Sequence, residues 1–204
     1  TSVSEEIVLL WNGHQGFNAG VTLFNTDFKN KISEVRRCTD KQQPACTLNG
    51  HSYDFISDRV NVDKANMRGV EGMMDWAINE DWSVSSSYTF TQSEQKSGPL
   101  AGHALNQMPR HMFNGSVEWQ TTEDLSLWSR VNFRGETSEY LSRVKMAEGT
   151  PSYTFFDMGL VYKANKHLDL TAGVYNLFDK TVDYSSYGTV LDGRRYNLGV
   201  TYNF

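Results

Sequence analysis

Apolar and polar positions alternate with period two along most of this chain, and the alternating runs are separated by clusters of turn-forming residues. The clearest run is Trp82 to Gln92. Trp82, Val84, Ser86, Tyr88 and Phe90 fall on one side, and Ser83, Ser85, Ser87, Thr89 and Thr91 on the other. Successive side chains of a strand point to opposite faces, so this spacing predicts a strand with one greasy and one wet face. Gly193 to Phe204 repeats the pattern: Tyr196, Leu198, Val200, Tyr202 and Phe204 alternate with Arg195, Asn197, Gly199, Thr201 and Asn203.

The same reading predicts about nine strands. The first runs from Val3 to Trp11, the second from Phe17 to Ile32 and the third from Arg59 to Ile78. The fourth runs from Trp82 to Gln92, the fifth from Leu105 to Gln120 and the sixth from Leu125 to Gly135. The seventh covers Ser152 to Lys163, the eighth Leu168 to Phe178, and the ninth is the closing segment. Short links, such as Asn12 to Gly16 and Asn79 to Asp81, alternate with long polar inserts: Ser33 to Ser57, Ser93 to Ala104, Glu136 to Pro151 and Asp179 to Asp192. Tight turns at one end and long loops at the other describe an up-and-down meander.

A wet face carrying arginine and asparagine is odd for the interior of a soluble β protein. It suits a transmembrane barrel, with lipid outside and water inside. Trp11, Trp76, Trp82 and Trp119 all flank short turns on the apolar face, as an interfacial aromatic girdle would. Trp128 falls on the polar face and does not fit. A mean hydropathy of −0.52 resembles that of a soluble protein. Barrel strands need only about ten residues, half of them apolar, so the average excludes helical spans and leaves a barrel open. Nine strands cannot close a single-chain bacterial barrel, whose strand number is even. The 204 residues are therefore expected to be part of something longer, entered in mid-barrel and without a signal peptide.

Chemistry changes this picture little. The net charge of −5 and the lack of a basic stripe argue against a nucleic-acid partner. The five histidines are scattered, and no G-x-S-x-G, P-loop, CxxC or calcium-loop spacing occurs. No enzyme activity, cofactor or protein-bound metal is expected. Cys38 and Cys46 are the two cysteines of the chain. A metal site would need more ligands than these and His51, so a disulfide closing a small loop in an oxidising compartment is the better reading.

The stretch TAGVYNLFDK (171–180), followed by a loop and GRRYNLGVTYNF, resembles the C-terminal end of TonB-dependent outer-membrane receptors. SVSEEIVLLW, TLFNTDFKNKI, NVDKANMRGVEG and MPRHMFNGSVEW are similar to other family stretches, in family order. Among subfamilies the chain looks most like receptors for ferric catecholate siderophores, including the ferric enterobactin receptor and its colicin-receptor relatives. The resemblance implies a bacterial outer-membrane, all-β antiparallel barrel of roughly 22 strands, of which residues 1–204 form the last nine. It also implies an N-terminal plug domain and TonB as energy source, neither represented here. The implied partners are a ferric siderophore, membrane lipid, the protein's own plug and missing strands, and a colicin or phage.

External loops that capture such an anionic, aromatic ligand should offer cations and stacking rings. Arg36, Arg37 and Lys41 share the cysteine loop with Tyr53; Tyr140, Arg143 and Lys145 share the next-but-one; Tyr184, Tyr187, Arg194 and Arg195 occupy or border the last. Tyr140 with Arg143 and Tyr184 with Tyr187 are the leading candidates. Arg130 and Arg134 face the lumen and are expected to pair with carboxylates of the plug or neighbouring strands. Three alternatives stand beside this reading: a passive porin-like channel, a receptor for haem or cobalamin, and a soluble β module.

Overall fold

The computed structural model describes all residues except 14–15, 39, 99–100, 106–107, 142–145 and 148, and the side chains of 31–36, 60–63, 140–141 and 146–147 also lie outside the described set. The strands are β1 (Ser2–Asn12), β2 (Phe17–Cys38), β3 (Thr47–Leu48), β4 (His51–Ser52), β5 (Ile56–Ala77), β6 (Trp82–Gln95), β7 (His111–Gln120), β8 (Leu125–Arg134), β9 (Tyr140–Leu141), β10 (Met146–Ala147), β11 (Tyr153–Asn165), β12 (Leu168–Tyr175) and β13 (Arg195–Tyr202). A single helical turn, α1 (Tyr184–Tyr187), lies in the last loop. Nine strands form one antiparallel sheet in the order β1-β2-β5-β6-β7-β8-β11-β12-β13, the expected meander. The pairs β3–β4 and β9–β10 are small hairpins within the long loops.

The short links 13–16, 78–81, 121–124 and 166–167 gather at one end of the sheet, and the long ones at the other. Side-chain oxygens make these turns tight. Asn79 Oδ1 accepts from the amides of Asp81 (2.9 Å) and Trp82 (2.8 Å), and Thr122 Oγ1 accepts from the Leu125 amide (3.1 Å).

The register carries one face across the whole sheet. Trp76 pairs with Val84, Val84 with Val117, Trp119 with Leu127, Leu127 with Leu160, Leu160 with Ala172 and Ala172 with Leu198. Among the described residues the buried apolar set is Cys38, Cys46, Ala65, Val182 and Tyr187 only. Ile7, Leu9, Trp11, Leu198 and Val200 are all more than half exposed. A water-soluble domain would bury such a band; here hydrocarbon takes the place of a core. From Trp82 to Phe90 the strand rises about 26 Å at ~3.3 Å per residue. A tilt of ~40° reduces this to about 20 Å, near the ~25 Å apolar band of membrane barrels.

One border of the band is aromatic. Trp82 and Trp119 stack with centroids 4.9 Å apart, and Phe17 meets Trp76 edge-on at 6.0 Å. Trp76, Trp82 and Trp119 sit beside the tight turns, as the girdle reading expects, and Phe17 joins them.

Three strand limits differ from the sequence expectation. The β2–β5 pairing continues beyond Ile32 to Cys38↔Ile56, so the backbone ladder of this hairpin runs on above the membrane band. β7 begins at His111, not Leu105. Pro109, which has no N–H to give a ladder, makes only an isolated bridge to Thr137. β12 ends at Tyr175 because Asn176 turns into the left-handed region (φ 52°).

Trp128 does face away from lipid, and the structure supplies the reason. A Cβ at Gly159 would lie 2.4 Å from Trp128 Cζ2 and 2.4 Å from the Ala172 carbonyl oxygen; one at Gly173 would lie 3.3 Å from the same ring. The indole thus lies over a floor of two paired glycines, on the lumen side. Gly159→Ala is expected to destabilise the full-length protein in detergent by about 1–3 kcal/mol, read from its urea midpoint. Trp128→Ala in the same chain should restore only part of this, since the backbone clash stays. Gly72→Ala, which meets nothing within 4 Å on the lipid face, should change little.

Candidate functional site

The lumen-facing positions assemble a polar wall. Asp75, Ser85, Ser87, Asn114, Ser116, Arg130 and Asn132 line a shallow trough of about 450 Å³. Ser85 and Ser116, directly paired across β6–β7, share a hydroxyl bond of 2.7 Å. Small hydroxyl side chains keep this part of the wall open and wettable.

Beside the trough lies a ladder of cations and rings. The Arg130 guanidinium sits 5.0 Å from the Trp128 ring centroid, Trp128 lies 5.9 Å from Tyr175, and Arg195 sits 5.5 Å from Tyr175. Ser116, Arg130 and Asp157 share one register row, and Tyr175 pairs with Arg195 across β12–β13. Asp157 Oδ1 accepts from the Asn176 amide at 2.8 Å, so this carboxylate helps hold the start of the last loop. Sequence reading placed Arg130 and Arg195 but missed Trp128 and Tyr175 as their partners. The signal was there: a tryptophan on the wet face beside strands that offer Gly159 and Gly173.

The NLFDK stretch organises the last loop. Asn176 is 5 % exposed. Its side chain donates to the carbonyls of Lys180 (2.9 Å) and Asp192 (3.3 Å) and accepts from the Lys180 amide (2.8 Å). Asp179 Oδ1 accepts from the Arg194 amide at 2.8 Å, tying the loop's start to its end. Asp183 caps α1, accepting from the Ser185 hydroxyl and the Ser186 amide, and these bonds hold its carboxyl below the usual value. Gly188 closes the turn in the left-handed conformation (φ 68°).

The candidate ligand residues separate on this scaffold. Tyr184 is 72 % exposed, whereas Tyr187 is 8 % exposed. Tyr187 packs edge-on against Tyr153 at 5.5 Å, with the Lys180 ammonium 5.8 Å from its ring. The structure therefore does not present the two tyrosines as one open pair. Arg37 sits at the bulge where β2 meets the loop and makes a two-pronged pair with Asp58, including Nε to Oδ2 at 2.8 Å. Arg195 pairs with Asp192 at 3.2 Å. Arg143 and Lys145 lie outside the described residues, as do the side chains of Tyr140 and Arg36. The Cys38–Cys46 disulfide is formed, with Cα atoms 5.5 Å apart, and it closes the tip of the long hairpin.

An outward apolar band, an inward polar wall and long loops gathered at one end define a segment of a transmembrane β-barrel. Residues 1–177 match the family described as TonB dependent receptor-like, beta-barrel. The chain belongs to this family of outer-membrane receptors, which are not enzymes. It is 41 % identical over its whole length to the iron-regulated outer membrane virulence protein of Vibrio cholerae, covering 31 % of that protein. It is 31 % identical to the ferric enterobactin receptor of Pseudomonas aeruginosa, over 88 % of this chain and 24 % of the relative. A crystal structure of a variant of a P. aeruginosa ferric enterobactin receptor, in complex with enterobactin, superposes with a TM-score of 0.76 at 28 % identity, covering 100 % of this chain and 31 % of that one. The chain thus spans under a third of the length of these relatives, and its nine strands match the C-terminal part of their barrels.

Two outcomes are expected at the hairpin tip. Mass spectrometry without reductant should find Cys38 and Cys46 bonded, and two free thiols would contradict the loop's placement. The hydrogen bond from Arg37 holds the Asp58 carboxyl below its usual value of 3.8. A depressed carboxylate stabilises the fold above its unfolded value and loses that contribution as pH falls through the folded one. Amide protection near residues 37 and 58 should therefore hold at neutral pH and decline only below about pH 3.8. Asp58→Asn should remove that step, and a step between pH 5 and 7 would contradict the pairing.

Proposed function

We propose that this chain is the C-terminal part of an outer-membrane receptor that captures a ferric siderophore of the catecholate type and imports it with energy supplied through TonB. The proposed whole is a barrel of roughly 22 strands, with residues 1–204 as one domain-level piece and a plug domain filling the lumen. The siderophore, TonB, the plug and the missing strands are its proposed partners, with a colicin or phage as a further ligand of the loops.

The observation that carries the reading is the cation–ring ladder Arg130–Trp128–Tyr175–Arg195 on the lumen wall. A ferric tris-catecholate is large, anionic and aromatic. Guanidinium groups answer its charge, and tryptophan and tyrosine faces answer its rings. The relatives named as ferric enterobactin receptors support the same ligand class. Capture needs positioned charge and stacking, and release needs mechanical work on the plug; no covalent step is involved. Iron arrives inside the siderophore, and the described residues hold no cluster of His, Cys, Asp or Glu suited to a metal.

At the mouth, Tyr184 is an exposed aromatic of the last loop, and Tyr140 with Arg143 is the proposed counterpart in the loop after β8. Arg36 and Arg37 border the cysteine loop, with Arg37 acting through its pair with Asp58. Tyr187 contributes by holding the loop that carries Tyr184.

The test is ligand binding to the full-length receptor, comparing ferric catecholates with ferric hydroxamates. Catecholates should bind and hydroxamates should not; the reverse would overturn the ligand class. Tyr184→Ala combined with Arg143→Ala should weaken catecholate binding about tenfold. Tyr184→Ala should leave stability unchanged, whereas Tyr187→Ala should loosen the last loop.

A further inference from the structure

Asparagine followed by glycine occurs three times in the chain, at Asn12-Gly13, Asn49-Gly50 and Asn114-Gly115. The pair is chemically labile. Glycine has no side chain to shield its amide nitrogen, which can attack the side-chain carbonyl carbon, Cγ, of the asparagine before it. The fold treats the three copies differently.

Two are locked. In the tight turn after β1, the Gly13 amide donates to the Phe17 carbonyl at 2.7 Å. A Cβ at Gly13 would lie 2.9 Å from Trp11 Nε1, so this turn is crowded, and Asn12 is paired with Asn18. Asn114 and Gly115 lie inside β7, paired with Ser87 and Ser86 of β6 and with Asn132 and Val131 of β8. Freeing that amide would break the ladder within the membrane band.

Asn49-Gly50 is held by far less. It is the two-residue turn of the β3–β4 hairpin, in which Leu48 opposes His51 and Thr47 opposes Ser52. Both turn residues are left-handed, Asn49 at φ 51° and Gly50 at φ 79°, as the favoured hairpin turn requires. A residue with a Cβ enters that region at a cost, which opening the turn releases. Both residues are exposed, and nothing lies within 4 Å of the place a Cβ on Gly50 would take. Neither the Gly50 amide nor the Asn49 carboxamide bonds to a described residue. So short a hairpin is marginal by itself. The disulfide closes the loop at Cys46, and the Tyr53 amide donates to the Cys46 carbonyl at 2.9 Å. The tip can therefore open without disturbing the long β2–β5 hairpin below it.

We propose that Asn49 is a site of spontaneous deamidation, with water as co-reactant. The Gly50 nitrogen loses its proton and bonds to Asn49 Cγ. The Cγ–Nδ2 bond breaks, and ammonia leaves with that proton, giving a five-membered cyclic imide. Water then adds to either imide carbonyl and cleaves its bond to nitrogen, leaving aspartate or isoaspartate. No oxidant or reductant is needed. The product carries a negative charge on the loop that also holds Lys41. Isoaspartate in addition puts an extra carbon into the backbone, which the two-residue turn cannot absorb. The inference rests on the geometry of the hairpin and is independent of the ligand class.

The experiment holds the full-length receptor in mild detergent at mildly alkaline pH, which favours the amide anion, and follows it by peptide mass spectrometry. A second arm uses strong denaturant. In the folded arm the peptide holding Asn49 should show the mass gain of amide-to-acid conversion about tenfold faster than those holding Asn12 and Asn114, the ratio given by a difference of about 1.4 kcal/mol in opening free energy. In denaturant the three should convert at similar rates. Asn49→Gln should lose the signal from that peptide, because ring closure from the longer side chain is slower. The ordering within the wild type needs no variant, so a variant that fails to assemble leaves the test intact. Conversion at Asn12 or Asn114 as fast as at Asn49 in the folded protein would overturn the proposal. So would an unchanged folded Asn49 over the time that converts it in denaturant, or a preference for Asn49 that persists undiminished there.

Discussion

In hydrocarbon no water is available to an unpaired peptide group, and the nine-stranded sheet answers to that constraint. A strand can cross only if both its edges are bonded, so the sheet must run as an unbroken ladder and eventually close. The nine strands satisfy this internally, each bonded to its sequence neighbour in the sheet. β1 and β13 each present one unpaired edge. The proposed missing strands would pair with them. Once the ladder is fixed, side-chain alternation follows from backbone geometry, and the sequence needs only to put oil on one parity and water-compatible groups on the other.

That division of labour explains why the lumen wall can be specialised. Its residues are released from any packing duty. Serines leave room along β6 and β7, while paired glycines in β11 and β12 make a floor for one large ring. Trp128 is an aromatic placed for its face, held between a guanidinium and a second ring. The loops follow other rules. The last one is built on side-chain to backbone bonds from Asn176, Asp179 and Asp183, which replace a hydrophobic core with a polar frame.

The strands were legible in the sequence because period two is a local signal and one face is uniformly apolar. The alternation from Trp82 to Phe90 gave face, register parity and border at once. The upper halves of β2 and β5 were not legible. Ser33 to Ser57 is mostly polar in sequence and holds no clean apolar–polar alternation, so it reads as loop. The site was only half legible. Residue type suggested Tyr184 and Tyr187 as partners, but their burial depends on Tyr153, some thirty residues earlier in the chain, which no local pattern reveals. Arg37 read as a free cation until its cross-strand neighbour Asp58 was in view.

The central claim is the direction in which each parity faces, and spin-label accessibility along β6 tests it most directly. Single cysteines at positions 84 to 88 of the full-length receptor in lipid vesicles would each carry a nitroxide. Collision with lipid-soluble oxygen should be high at Val84, Ser86 and Tyr88 and low at Ser85 and Ser87, with a water-soluble nickel chelate showing the opposite. A flat profile, or one with the two parities exchanged, would contradict the account.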